Sequence, residues 1–281
     1  MRTYPECISC FLNQALRAGR AATTDEMKLK KLLAETTMLL KSIPPDTTPP
    51  EIGMSVYRKV REFTGVIDPY KDIKRDSTRQ ALRLYPYLKS KVDASGDRLL
   101  TAIRIAIAGN IIDRGIDKDY NLKEEIDDTL QKDFALSDYD KFRRRLTKME
   151  NILYIGDNAG ETVFDKILIE ELKKKVLYTV RETPVINDAT YEDAVEAGID
   201  TVAGIVSSGT SAPGTILKTC NDTFRYLYKN SDFIISKGQG NYEALSHEDR
   251  PIFFLLKVKC MVIARDIGVG TGDIVLKGIN V

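Results

Sequence analysis

Residues 152–175 read ILYI, then GDNAGE, then TVFDKILIEELKKK, and they change character twice. The first four residues are apolar and partly β-branched, as a buried strand requires. The next six hold two glycines, an aspartate and an asparagine, which suit a tight turn. From Thr162 onward the apolar residues Val163, Phe164, Ile167, Leu168 and Leu172 fall at helical spacing. Strand, turn and helix in that order form the unit of a parallel sheet.

The unit repeats toward the C-terminus. Val176–Val180, Thr201–Val206, Phe233–Ile235 and Ile252–Leu256 are short apolar runs, while Tyr191–Ala197, Ala212–Tyr228 and Tyr242–Leu245 read as helices between them. The expectation for residues 149–281 is therefore a doubly wound, mostly parallel α/β/α domain of three layers. Upstream the periodicity is helical throughout. Helices are expected over Pro5–Arg20 and Thr24–Lys41, the second opened by a Thr23–Glu26 capping box. A loop with four prolines at 43–50 comes next. Pro50 then suits the first turn of a helix ending near Gly65. Another starts at Pro69 and should break at Pro86. Asp97–Ile112 reads as a buried central helix, and Asn121 and Ser137 as caps of two more. No strand is expected before residue 150, so residues 1–148 read as an all-helical domain packed on the α/β domain. No Gly, Ser or Pro run marks a flexible linker near 148.

Composition narrows the function. The 281 residues carry 42 Lys and Arg against 41 Asp and Glu, a net charge of +1. A nucleic-acid or membrane-surface binder normally shows a basic excess, so neither partner is expected. The run Leu99–Ile112 is interrupted by Arg104 and Asn110 and cannot span a bilayer. The start, MRTYPECISC, has no signal-peptide core, and four cysteines do not make a disulfide scaffold, so a cytoplasmic location is expected. A single histidine, His247, excludes sites needing two or three. A metal site would have to be built from oxygen ligands, which points to magnesium, manganese or a similar ion.

In an open parallel sheet, ligands bind beyond the carboxyl ends of the strands. Standing there are Gly156-Asp157-Asn158-Ala159-Gly160-Glu161, Asn187-Asp188-Ala189-Thr190, Ser207-Ser208-Gly209-Thr210-Ser211 and Ser236-Lys237-Gly238-Gln239-Gly240-Asn241. Asp157 and Asp188 can neutralise a divalent cation, and Asn158 adds a neutral carbonyl oxygen. The helix after Gly160 turns its positive end toward the same crevice. Lys237, flanked by glycines, supplies a fixed positive charge for an anion. Each group alone is an ordinary turn or capping residue; their convergence describes a phosphate site.

GDNAGE at 156–161, IND at 186–188 and KGQGN at 237–241, in that order, resemble the damage-control phosphatases, also called domain of unknown function 89. The likeness extends to DPYK at 68–71, to Ala108-Gly109-Asn110 with Asp113, and to Cys7-x-x-Cys10, which looks like the archaeal and bacterial branch. The resemblance implies a metal-dependent phosphatase acting on small phosphorylated metabolites, including sugar phosphates and damaged by-products. Its cofactor would be Mg, Mn, Co or Ni. Asp157, Asn158 and Asp188 would hold the metal, and Lys237 would contact phosphate. Asn110 and Asp113 would line the pocket, and Gly238, Gly240 and Asn241 complete the substrate loop. Glu161 reads either as a partner of the ligands or as a first-turn acid complementing the helix dipole. The nucleophile is water or Asp157. Phosphatases of the haloacid-dehalogenase type need a second aspartate two positions on, where this chain has Ala159, so water is favoured. Oligomeric state is left open.

Three other motifs compete for attention. DIGVGTG at 266–272 resembles the glycine-rich loop of S-adenosylmethionine-dependent methyltransferases, but only nine residues follow it, too few for the rest of such a sheet. A C-terminal turn is the better reading of this segment; the alternatives to a phosphatase function are an S-adenosylmethionine-dependent carboxyl methyltransferase and a non-catalytic phosphometabolite-binding protein. Cys7 and Cys10 share a helix face and suit a metal, a reversible disulfide or simple burial. The basic run at 141–145 is interleaved with Asp138 and Asp140 and reads as a solvated face.

Overall fold

The structure, a computed structural model, describes residues 1–44, 46–114 and 122–281, with the side chains of Asp113 and Arg114 outside the description. Strands β1 (Leu136–Ser137), β2 (Asn151–Ile155), β3 (Lys175–Val180), β4 (Gly204–Ser207), β5 (Ile234–Lys237), β6 (Ile252–Lys257) and β7 (Ile274–Ile279) form one sheet. Its order is β1-β7-β6-β5-β2-β3-β4. Every pairing is parallel except β6 with β7. From β2 the chain winds outward through β3 and β4, then returns to β5 on the other side of β2. The strand order therefore reverses between β2 and β5, where such sheets bind ligands.

The helices are α1 (Pro5–Ala22), α2 (Glu26–Lys41), α3 (Pro49–Thr64), α4 (Lys71–Asp93), α5 (Arg98–Ala108), α6 (Leu122–Gln131), α7 (Tyr139–Leu146), α8 (Thr162–Leu172), α9 (Tyr191–Glu196), α10 (Asp222–Asn230), α11 (Gln239–Leu245) and α12 (Met261–Ile267). Successive side chains of a strand face opposite ways. Ile152 and Tyr154 accordingly join a core with Ile103, Ile107, Phe164 and Ile167. Leu153 and Ile155 join another with Phe224, Leu245 and Ile263. The central strands β2, β5 and β6 are covered on both faces, which is why they read as apolar runs. The first core draws on both halves of the chain, because α5 lies against α8 as one of the sheet's own covering helices.

Helices α1, α2 and α3 make a small core of their own around Phe11, Ala15, Leu40, Ile52 and Val56. They close over the loops beyond the strands. A Cβ on Gly53 of α3 would come within 2.7 Å of Pro213, and one on Gly214 within 2.9 Å of Pro50. No helix among the described residues is long and apolar enough to cross a membrane.

Several local expectations are corrected. Helix α4 continues through Pro86. Tyr85 donates to Glu170, Tyr87 donates to Asp127, and Lys89 pairs with Glu170 at 2.6 Å, so anchors on both sides of the proline outweigh its cost of about 3 kcal/mol. The α2 cap is Asp25, which accepts from the amides of Met27 and Lys28; Thr23 lies too far upstream. The central helix relaxes into a 3₁₀ turn at Gly109–Arg114. Ser137 is a strand residue, not a cap: Leu136 and Ser137 pair with Val275 and Leu276. Two residues are too few to show an alternating pattern, so this strand was invisible before residue 150. Thr201 ends a 3₁₀ turn, leaving the strand to start at Gly204. The segment from Ala212 begins as loop, and its helix starts only at Asp222, capped by Asn221. The DIGVGTG loop does make a turn, but it joins α12 to a further antiparallel strand, β7. It follows a helix, not a strand, and so lacks the setting that a methyltransferase loop requires. Asn121 lies outside the described residues.

Candidate active site

Beyond β2 and β3, two loops are zipped together by their backbones. Ala159 N–H donates to Asn187 O at 2.8 Å, Ala189 N–H donates to Asp157 O at 2.8 Å, and Asn158 bridges Asp188. This pairing sets Asp157, Asn158 and Asp188 side by side. The polar side chains of all three come from turn residues that the sheet edge has aligned.

Behind them lies a buried clamp. Arg181, at the end of β3, donates Nε to Asp188 Oδ2 at 2.7 Å and its two terminal nitrogens to Thr215 Oγ1 and Asn241 Oδ1, both at 3.0 Å. Asn241 also accepts from Thr215 N–H, and donates to Gly156 O and Lys237 O at 3.0 and 2.8 Å. Asn241 is fully buried and ties three loops together. Gly238 has φ +77°, and a Cβ there would stand 1.9 Å from Asp157 Oδ2. The close approach this glycine permits is that of Asp157 itself. A Cβ on Gly240 would stand 2.3 Å from Pro213 O, so that glycine admits a neighbouring loop. Gly238→Ala is therefore expected to displace Asp157 and strain the turn, lowering activity about a hundredfold in a phosphate-release assay; wild-type turnover would refute this packing.

Lys237 is 1% exposed, so it is not a solvated loop lysine. Its Nζ donates to Asp165 Oδ1 at 2.6 Å and to Glu161 Oε2 at 3.1 Å. Glu161, also 1% exposed, makes no capping bond to its helix. Its Oε1 accepts instead from Asn158 Nδ2 at 2.7 Å and from Asn110 Nδ2 at 2.6 Å. The partner role thus describes its geometry, and Asn110 meets the site by bracing Glu161. The side chain of Asp113 lies outside the description.

Asp165 was missed in the sequence. It is fully buried and accepts from Tyr154 and Tyr178 hydroxyls at 2.7 and 2.8 Å as well as from Lys237. The signal was there: an aspartate within the apolar stripe of α8 has to find buried donors.

Four carboxylates (Asp157, Glu161, Asp165 and Asp188) thus cluster around two buried cations, Lys237 and Arg181. Burial, then the charges of Glu161 and Asp188, push the Asp157 carboxyl well above its ordinary range, against the opposing charges of Lys259 and Arg181. Burial also raises Asp188, with the Arg181 guanidinium opposing. The paired carboxylates hold the Lys237 ammonium well above an ordinary lysine, outweighing its desolvation. Asp157 keeps part of its surface exposed, unlike Glu161, Asp165 and Asp188. A cluster of acids in which Asp157 keeps part of its surface exposed suits a divalent cation, and the oxygens are the hard donors that magnesium or manganese takes. The donor set expected from the sequence is two carboxylates and an amide; no group of three His, Cys, Asp or Glu arranged to hold a metal occurs among the described residues.

At the rim, Gln239 Nε2 donates to Glu243 Oε1 at 3.0 Å and to Cys260 Sγ at 3.5 Å, while its Oε1 accepts from Lys259 N–H. The charges of Glu243 and Cys260 act on Cys7 and Cys10, so the N-terminal pair faces this edge of the site. Burial lifts Glu243 to about 7. Cys220 donates its thiol to Ile216 O at 3.4 Å, and among the described residues no three cysteines are grouped to hold a metal. In the basic run, Lys141, Arg143 and Arg144 are exposed, as a solvated face requires.

With this geometry, comparison with known proteins is informative. Residues 3–275 match the family described as the Damage-control phosphatase ARMT1-like domain. A damage-control phosphatase of Pyrococcus horikoshii is 34% identical over 98% of this chain and 97% of its own. One of Archaeoglobus fulgidus is 34% identical over 99% of both chains. The crystal structure of a DUF89 family protein from P. horikoshii superposes with a TM-score of 0.91 at 34% identity, covering 99% of each chain. A likeness of that extent covers the sheet, its covering helices and the loops beyond the strands alike: the chain belongs to the damage-control phosphatase ARMT1-like family and is an enzyme of that phosphatase class.

Proposed function

We propose that this enzyme hydrolyses small phosphorylated metabolites, sugar phosphates or damaged phosphometabolites among them, with the help of a divalent cation. The observation that carries the reading is the backbone-zipped trio Asp157, Asn158 and Asp188, whose two carboxylates stand with those of Glu161 and Asp165 around the buried cations Lys237 and Arg181. Asp157 and Asp188 would hold the ion through carboxylate oxygens and Asn158 through its amide oxygen. When bound, such an ion neutralises phosphoryl charge and lowers the pKa of water.

The chain's own groups do the positioning. An ammonium has three N–H bonds, and Lys237 spends two on Asp165 and Glu161. In this reading the third meets a phosphoryl oxygen and stabilises charge as the bond to the leaving group breaks. Arg181 holds Asp188 from behind. Water is the nucleophile, because Ala159 offers no second acid two positions after Asp157. The free cysteines suit a reducing cytoplasm.

The deciding experiment measures phosphate release from a panel of sugar and nucleotide phosphates, in chelator and then with Mg2+, Mn2+, Co2+ or Ni2+ added singly. Turnover only with metal is expected. Folded protein that binds phosphometabolites but turns none over, with any metal, would make it a binding protein; tight S-adenosylmethionine binding would favour methyl transfer. Because Asp157 and Asp188 hold protons to higher pH than ordinary carboxylates, protons compete with the cation over that raised range. Activity at limiting metal should fall on acidification, and the acid limb should move to lower pH as metal is added. A limb indifferent to metal concentration would contradict the assignment.

A further inference from the structure

We propose that Asp165 is a positioning residue that fixes the amide of Asn158 through a relay of buried side chains, and so sets the affinity for the divalent cation. This inference rests on the reading of Asn158 as a ligand. The relay runs from Asp165 to Lys237 at 2.6 Å, from Lys237 to Glu161 at 3.1 Å, and from Glu161 to Asn158 at 2.7 Å. Every member is nine-tenths or more buried.

Asp165 is the fixed end. It stands on α8, and the stacked rings of Tyr154 and Tyr178, 5.2 Å apart, deliver a hydroxyl to each of its oxygens. Tyr178 reaches it only because residue 156 is glycine, since a Cβ there would lie 2.5 Å from the tyrosine oxygen. The lysine between two carboxylates then holds Glu161 by one oxygen, leaving the other to accept from Asn158 and Asn110. An amide whose N–H is committed in this way cannot rotate to exchange its nitrogen and oxygen. It therefore presents oxygen, the only atom of the group that a hard cation accepts. Groups that orient metal ligands in this manner are typically worth about 10- to 100-fold in affinity.

The test is metal affinity measured by calorimetry on metal-free protein, with kcat followed as a function of metal concentration. Asp165→Asn keeps an acceptor for the tyrosines but removes the charge facing Lys237. It is expected to weaken Mn2+ binding about tenfold, and added metal should restore much of the lost turnover. The gentler Tyr154→Phe/Tyr178→Phe double variant preserves the stacked rings and should weaken binding in the same direction by a smaller factor. It carries the test if Asp165→Asn does not fold. A purely structural role would lower Tm and leave the metal affinity of the folded protein unchanged, and that result overturns the relay. If the wild type binds metal and these variants bind it equally, the relay alone falls. If the wild type binds no divalent ion, the relay falls together with the metal-dependent reading.

Discussion

Asp157→Asn is expected to lower metal-dependent phosphate release by about a thousandfold or more, which corresponds to about 4 kcal/mol of transition-state stabilisation. The substituted side chain keeps its shape above Gly238, where a Cβ would stand only 1.9 Å from the carboxylate oxygen. What it loses is charge, and with charge most of its affinity for a hard cation. Stability should move the other way. Burial and the neighbouring carboxylates raise the folded-state pKa of Asp157. An ionised group whose pKa is raised on folding destabilises the native state at any pH above its unfolded value, so at neutral pH the metal-free wild type carries that penalty and the asparagine variant does not. The metal-free variant should therefore melt no lower than the wild type. Full turnover would remove Asp157 from the site, whereas a large fall in Tm would make the lost activity merely structural. A gain in stability with a loss of function is the mark of an active-site group.

Lys237→Met should have the opposite signature, a large loss of stability alongside a loss of activity. The substitution leaves Asp165 and Glu161, both no more than 1% exposed, without the cation between them. Removing one partner of a buried pair typically costs about 3–5 kcal/mol, or roughly 10 °C of Tm for a chain of this size. The pH dependence gives a second check. In the wild type the ammonium is held above its ordinary pKa, so its contribution is fully present at pH 7 and lost only in strong alkali. In the variant, Asp165, whose carboxyl burial already pushes up against the charge of Lys237, has lost that counter-charge and should take up a proton more readily. The variant should then regain stability on acidification, and the gap between the two proteins, read as urea midpoints at pH 8 and pH 5, should narrow at the lower pH. A gap of the same size at both values, or a loss under 1 kcal/mol, would mean that the lysine is not the counter-ion of this cluster.

The two variants differ because burial and neighbouring carboxylates act against the charge of the partly exposed Asp157, whereas Lys237 is enclosed between opposite charges. That difference was not readable in the chain, where both follow a strand and stand next to glycines. It arises from which strands become neighbours. β5 lies beside β2, so Lys237 is placed against α8, the helix that follows β2, and meets Asp165 and Glu161 there.

Local sequence was sufficient wherever the physics is local. The apolar runs of β2, β3, β5 and β6 announced strands, and GDNAGE, IND and KGQGN marked the segments at and beyond their carboxyl ends, although the last runs straight into α11 from Gln239. Helical periodicity located the main helices of the first half, and a single histidine pointed to oxygen ligands for any metal. Tertiary structure decided the rest. It carried α4 through Pro86, because anchors on both flanks offset a lost hydrogen bond. It recruited Leu136 and Ser137 to an edge of the sheet through pairing with β7, a contact across 139 positions from Leu136 to Val275. It gave Asn110, Glu161 and Asn241 their buried partners and brought in Asp165 and Arg181 beside them. The reason is common to all of these cases. Propensity and period act over a few residues, whereas the partner that satisfies a buried charge or an unpaired strand is chosen by packing, from residues tens to more than a hundred positions away.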